Sequence, residues 1–291
     1  MRHFLIGASA VMIAGSTAFP ISAETILFVG NSFTFGANSA AKHWGSDTVT
    51  DLNGERIGGV PALFKQFTVE AGLTYEVALE TAPGRSLGWH FASRRAVLDR
   101  RWDHVVLQEY STLDPARPGD PTRMTADTAA LVRLFALRNP QVAIRMTATW
   151  SRPDLVYRPG SRWSGTPIAT MADDLRAAYN QAARAAGRPV AIVPAGQAFT
   201  CAIRAGIADA DPYDGIAYGT LPLWSWDQYH PSAYGYYLAA LTVFGSITGR
   251  DPRTLGADET AAVELGFSAA ETTGLQAAAQ RALATDGACG R

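Results

Sequence analysis

Thr25-Ile26-Leu27-Phe28-Val29, followed at once by Gly30-Asn31-Ser32, is the stretch on which the fold of this 291-residue chain turns. A continuous apolar run of this length, rich in β-formers and stopped by a glycine, reads as a strand buried on both faces. Four more runs of the same kind follow: Tyr75 to Leu79, Asp103 to Leu107, Val142 to Ala148 and Pro189 to Val193. Helical patterns separate them. Val60 to Ala71 carries Leu63, Phe64 and Phe67 on one face, and Leu87 to Leu98 comes next. Thr125 to Arg138 is stopped by Asn139-Pro140, and Met171 to Ala186 is capped by Gly187. Strand and helix in strict alternation predict an α/β domain, a five-stranded parallel sheet covered by helices on both faces as a three-layer α/β/α sandwich. From His230 onward the chain reads as helical: Pro231 to Phe244 is rich in Tyr and Ala, and Ser268 with Glu271 forms a capping box for a last helix.

Residues 1–23 stand apart from this pattern. Arg2 and His3 precede an apolar run from Phe4 to Phe19, and Ile21-Ser22-Ala23 offers a small-residue cleavage site, the pattern of a secretory signal peptide. A short membrane anchor is the alternative. However, Gly7, Gly15, Ser16 and Pro20 interrupt the run, which falls short of the roughly 20 apolar residues a span needs. The expectation is a single domain over residues 24–291, secreted or periplasmic, with no stable membrane span after cleavage. In an oxidising compartment Cys201 and Cys289 are free to pair. The sequence leaves open whether they meet.

Composition narrows the function. The chain has 25 basic and 26 acidic side chains, a formal charge of −1, and so lacks the electrostatic footprint of nucleic-acid binding. Two cysteines and five histidines, with no CxxC or HExxH spacing, offer little for a metal site, and no metal or cofactor is expected.

In an open parallel sheet, ligands bind at the carboxyl ends of the strands. The residues after each apolar run therefore carry the information: Gly30-Asn31-Ser32, then Pro83-Gly84-Arg85-Ser86, then Gln108-Glu109-Tyr110-Ser111. Near the chain end, Asp227-Gln228-Tyr229-His230 sets an acid three residues before a histidine. A hydroxyl, a histidine with a carboxylate partner and small hydrogen-bonding groups are the parts of a serine hydrolase. On these residues the chain resembles the SGNH or GDSL-like hydrolases: Gly30-Asn31-Ser32 is similar to the first block of that family, Gly84 to the second and Asp227-x-x-His230 to the last. The third block departs. Where the family has Gly-x-Asn-Asp, this chain reads Leu107-Gln108-Glu109, as in a divergent branch.

The resemblance implies a flavodoxin-like SGNH fold and a catalytic triad of Ser32, His230 and Asp227. It also implies an oxyanion hole built from the Ser32 and Gly84 backbone N–H groups and the Gln108 side chain, with Gln108 in place of the family's asparagine. A rival nucleophile is Ser86, because Gly84-Arg85-Ser86-Leu87-Gly88 matches the G-x-S-x-G elbow of α/β-hydrolases. That elbow needs an apolar strand running straight into it, and Glu80, Thr81 and Pro83 intervene. His90 and His104 read as structural histidines, and Asp209, Asp211 and Asp214 as a polar loop. Glu109 reads either as an acid supporting the site or as a solvated or Arg-paired carboxylate.

Trp224 and Trp226 just before Asp227, and Trp150, Tyr157 and Trp163 in the segment from Thr149 to Ile168, suit a rim that contacts substrate. With secretion and no long apolar lid, the expected substrate is a short-chain acyl ester, a carbohydrate O-acetyl group first. An acyltransferase with the same triad and a non-catalytic glycan-binding module are the alternatives.

Overall fold

A computed structural model describes Met1 and residues 23–289, and the expected signal segment, residues 2–22, lies outside the described residues. The chain runs through β1 (Glu24–Gly30), α1 (Ser32–Phe35), β2 (Thr50–Asp51), α2 (Gly59–Glu70), β3 (Tyr75–Thr81), α3 (Leu87–Ser93), α4 (Arg95–Leu98) and β4 (His104–Leu107). It continues with α5 (Thr122–Arg138), β5 (Ala143–Thr147), α6 (Pro153–Val156), α7 (Ala169–Ala185), β6 (Val190–Val193) and α8 (Ala195–Arg204), and ends with α9 (Ala233–Thr248), α10 (Thr260–Glu264) and α11 (Ala269–Ala284). The strands form one parallel sheet in the order β2-β3-β1-β4-β5-β6.

All five expected strands are present. The sixth, β2, is a two-residue edge strand inside a polar stretch with no apolar run to announce it. It is held by its own Asp51, whose carboxylate accepts the backbone N–H groups of Asn53 (2.9 Å), Glu55 (2.9 Å) and Ile57 (3.2 Å).

β1 shows why a continuous apolar run was needed. Alternate side chains point to opposite faces of a strand. Ile26 and Phe28 accordingly pack into one core with Phe64, Phe67, Phe199 and Phe244, under α2, α8, α9 and α11. Leu27 and Val29 pack into the other with Leu131, Phe135, Leu175 and Tyr179, under α5 and α7.

The expected helix over Leu87 to Leu98 is divided at Arg94, which closes α3 and opens α4. The cause is tertiary: the Arg94 guanidinium binds the buried Glu80 carboxylate (3.0 Å) and the Asn53 side chain. The capping box of α11 forms as the sequence predicts, with Ser268 N–H donating to Glu271 (2.6 Å) and Glu271 N–H to Ser268 Oγ (3.3 Å). Cys201 of α8 and Cys289, beyond α11, are joined in a disulfide, and among the described residues there is no free cysteine.

Candidate active site

β1 lies between β3 and β4, with Gly30 opposite Thr81 and Val29 opposite Leu107. The loops leaving three adjacent strands therefore start at the same level. The winding also reverses at β1, since β2 and β3 lie to one side of it and β4, β5 and β6 to the other. Such a reversal opens the crevice in which α/β proteins bind ligands.

Asn31, directly after β1, organises the crevice. Its side-chain carbonyl accepts the Phe33 N–H (3.2 Å) and so starts α1. Its amide donates to the carbonyls of Arg85 (3.0 Å) and Glu109 (3.3 Å). One side chain thus ties the loop after β1 to the loops after β3 and β4. Ser32 is the first residue of α1 and is nearly buried, at 7% exposure. Among the described residues neither its hydroxyl nor its backbone N–H is engaged in a hydrogen bond, whereas its carbonyl accepts from the buried Tyr236 hydroxyl (3.0 Å).

The Asp227 to His230 turn closes over α1. The His230 ring packs edge-on to Phe33, the neighbour of Ser32, at 5.8 Å between centroids. Asp227 Oδ1 accepts the backbone N–H groups of Tyr229 (3.1 Å) and His230 (2.9 Å), and Oδ2 faces His230 Nδ1 at 2.6 Å. Burial alone raises the Asp227 carboxyl, but these bonds outweigh it and hold the group below the ordinary aspartate value. An ionised carboxylate accepts only, so Nδ1 carries the proton and Nε2 is left with the lone pair of a base.

Asn38 completes the arrangement, although no motif in the sequence marks it. Its amide donates to Asp227 Oδ2 (2.7 Å), and its carbonyl accepts from Ser225 Oγ (2.8 Å). It adopts a left-handed backbone (φ 58°), which asparagine tolerates better than most residues. Gly84 also has positive φ (64°) at an exposed turn, and among the described residues its N–H has no acceptor. Ser86 is committed elsewhere: it caps α3 by accepting the Trp89 N–H (3.3 Å).

No protein-family model matches the sequence, and no curated protein does. Solved structures do. A DUF4886 family protein from Bacteroides uniformis aligns with a TM-score of 0.61 at 19% identity, over 91% of this chain and 96% of that one. A candidate SGNH hydrolase from Slackia heliotrinireducens aligns at 0.50 with 25% identity, over 78% of this chain and 100% of that one. A candidate GDSL-like lipase from Parabacteroides merdae aligns at 0.53 with 18% identity, over 79% of this chain and 98% of that one.

The chain has the SGNH-hydrolase fold.

Within that fold the third-block glutamine is held in a hydrogen-bond network at the end of β4. Gln108 Oε1 accepts the Asn31 N–H (3.0 Å) and the Thr34 hydroxyl (3.0 Å), which fixes the orientation of its amide, and Nε2 donates to the Glu109 carbonyl. The Oε1 end is taken, whereas only one of the two Nε2 hydrogens is used; Gln108 fastens the turn that carries Ser32 and keeps one amide N–H uncommitted among the described residues. Glu109 is buried at 1% exposure, neither solvated nor paired with an arginine. It accepts the N–H groups of Tyr110 (2.6 Å) and Leu87 (3.3 Å), and burial pushes its carboxyl up to about 8.

The aromatic rim is thinner than the sequence suggests. Trp224 is buried, donates its indole N–H to the Ser151 carbonyl (3.0 Å) and bridges Pro231, so it braces the turn and contacts no substrate. Trp150 is stacked between Phe33 (4.5 Å) and Phe199 (5.0 Å), and Trp163 is likewise core. Trp226 alone of these tryptophans stands in solvent, at 80% exposure. His90 and His104 face Glu80 and Glu24 away from the rim loops, and Asp209 is used up by the backbone N–H groups of Asp211 and Ala217 (both 2.9 Å).

Proposed function

We propose that the protein is a secreted serine esterase that removes short acyl groups, carbohydrate O-acetyl esters first, with residues 1–23 as its signal peptide and 24–291 as one catalytic domain. The observation that carries this reading is the His230–Asp227 pair, with Nδ1 bound to an ionised carboxylate and the ring packed on the residue next to Ser32.

In this reading His230 Nε2 takes the Ser32 proton as Oγ attacks the ester carbonyl, and Asp227 steadies the resulting imidazolium. The backbone N–H groups of Ser32 and Gly84 receive the developing oxyanion. The uncommitted Nε2 hydrogen of Gln108 adds a side-chain donor, and the same side chain holds Asn31. Collapse of the tetrahedral species passes the proton to the departing alcohol and leaves an acyl-Ser32 ester. Water, activated by the same histidine, then releases the acid. Trp226, exposed beside Asp227, offers a face for stacking on a sugar ring.

The test is hydrolysis of p-nitrophenyl esters from acetate to palmitate by the wild type and Ser32→Ala. The expected outcome is turnover that falls with chain length and a loss of about 10⁴-fold or more in the variant, with its circular dichroism unchanged. Retained hydrolysis in Ser32→Ala rejects the nucleophile.

A further inference from the structure

Two clefts open beside the catalytic residues and share Tyr110 and Pro115 as a common wall. The first, about 250 Å³, runs from Gly84 past Arg85, Trp89 and Arg123, with Glu109 in its lining. The second, about 370 Å³, lies between Arg152 and Arg162. Each meets the catalytic machinery at one end. Gly84 belongs to the first cleft; in the second, the Arg152 guanidinium sits 3.6 Å from the centre of the Tyr229 ring, and that ring is 4.1 Å from the ring of His230.

The lining has a consistent charge. Four arginines line the two clefts against a single carboxyl, Glu109. Because burial holds Glu109 up at about 8, it is uncharged at neutral pH. Arg123 and Arg162 lean on Asp114 (3.2 Å) and Asp174 (3.7 Å), and Arg152 is held by Asp154 (2.6 Å), but none of those aspartates lines a cleft. Arg85 is different. It is exposed, its guanidinium lies over the Trp89 ring at 5.2 Å, and among the described residues no carboxylate reaches it. A chain with a net charge of −1 thus presents, beside Gly84, the Arg85 guanidinium free of any carboxylate among the described residues on an aromatic wall, with three ion-paired guanidinium groups along the rest of the lining.

Guanidinium groups recognise planar carboxylates, and aromatic faces pack against sugar rings. We propose that the alcohol half of the ester is an acidic saccharide, whose carboxylate pairs with Arg85 and whose next acidic residue extends across Tyr110 toward Arg162. This rests on the esterase reading above and adds the substrate class to it.

The experiment compares O-acetylated trigalacturonate with its amidated counterpart, in which each carboxylate is a carboxamide, by following acetate release; p-nitrophenyl acetate serves as a control. At low ionic strength the wild type is expected to show a kcat/KM about tenfold higher for the acid than for the amide, the size of one good charge contact. Arg85→Gln and Arg162→Gln each reduce that ratio, and about 0.5 M sodium chloride shrinks it in the wild type. Turnover of p-nitrophenyl acetate together with equal rates on the two saccharides overturns the acidic-substrate proposal alone. A ratio that persists in Arg85→Gln overturns the role of Arg85. Failure of the wild type to hydrolyse p-nitrophenyl acetate overturns the esterase reading, and this proposal with it.

Discussion

Glu109→Gln should change how the stability of this protein depends on pH, and by a predictable amount. Glu109 follows Gln108 at the end of β4 with 1% of its surface exposed. Loss of hydration is the largest influence on its carboxyl and raises it. The Tyr110 and Leu87 N–H groups work in the opposite direction, and Asp127 and Asp114 add to the rise, so that it titrates at about 8 in place of 4.5. The unfolded chain gives up this proton near the ordinary value, while the native protein keeps it. Between pH 4.5 and 8 the native state therefore binds more protons, and stability falls as pH rises. At about 1.4 kcal/mol for each tenfold change in proton concentration, the loss across that interval is on the order of 5 kcal/mol. Below pH 4.5 both states hold the proton and the penalty vanishes; above 8 both have lost it and the penalty is constant. Glutamine keeps the shape and an acceptor for the two N–H groups but cannot ionise. Urea unfolding of both proteins at intervals from pH 4 to 9 is the assay. Every other titrating group is common to the two, so the difference between the curves isolates Glu109. The stability of the variant relative to the wild type should climb by several kcal/mol between pH 5 and 8. Parallel curves would refute the reasoning, because they would mean that the native carboxyl ionises as freely as the unfolded one.

Two further outcomes follow from single contacts. Asn38→Ala removes a donor to the charged Asp227 oxygen, a bond worth about 1.5–3 kcal/mol, and kcat on p-nitrophenyl acetate should fall at least about tenfold while Ser32 remains acylatable by an activated phosphonate; an unchanged kcat would show that Asp227 needs no such support. Replacing Cys201 and Cys289 together by alanine opens a loop whose ends are 88 residues apart and should cost about 2–5 kcal/mol in urea unfolding, and an unchanged midpoint would contradict this.

Much of the architecture was legible because it depends on local composition. A strand covered on both faces is apolar at nearly every position, so the Thr25 to Val29 run of β1 stands out, as does Val105 to Leu107 in β4. What escaped was fixed by distant partners. β2 has only two residues and is placed by pairing with β3, Thr50 opposite Ala78; the break between α3 and α4 depends on Arg94 reaching Glu80. The candidate site divides the same way. Asp227 and His230 are three residues apart and visible as a motif, whereas Asn38 meets Asp227 across 189 positions. Adjacency also misled. Trp224 and Trp226 are both close to Asp227 in sequence, but Trp224 is held by its bridge to Pro231 while Trp226 begins the turn, and one is core while the other is solvent-exposed.

Gln108 shows how one methylene group redistributes the work of a site. An amide at the end of β4 is well placed to donate to an oxyanion, and on the family pattern that is what it should do. Here the longer side chain also reaches back over β1. Its Oε1 lies close above Gly30, where an added Cβ would come within 2.7 Å of it and would also collide with the Thr34 side chain. Glycine is therefore required at position 30 by the glutamine at 108, and Gly30-Asn31-Ser32 becomes intelligible residue by residue: a gap for the Gln108 amide, a hub joining three loops, and the hydroxyl. The consequence is chemical. One Gln108 Nε2 hydrogen goes to the Glu109 carbonyl, and the proposed oxyanion hole combines the backbone donors of Ser32 and Gly84 with the second Nε2 hydrogen. Backbone donors cannot be removed by substitution but can be displaced by moving their loops, and Asn31 is the residue that binds both loops together. In the proposed mechanism the alignment of all three donors then depends on the hydrogen bonds around Asn31, which join its loop to Gln108, Arg85 and Glu109.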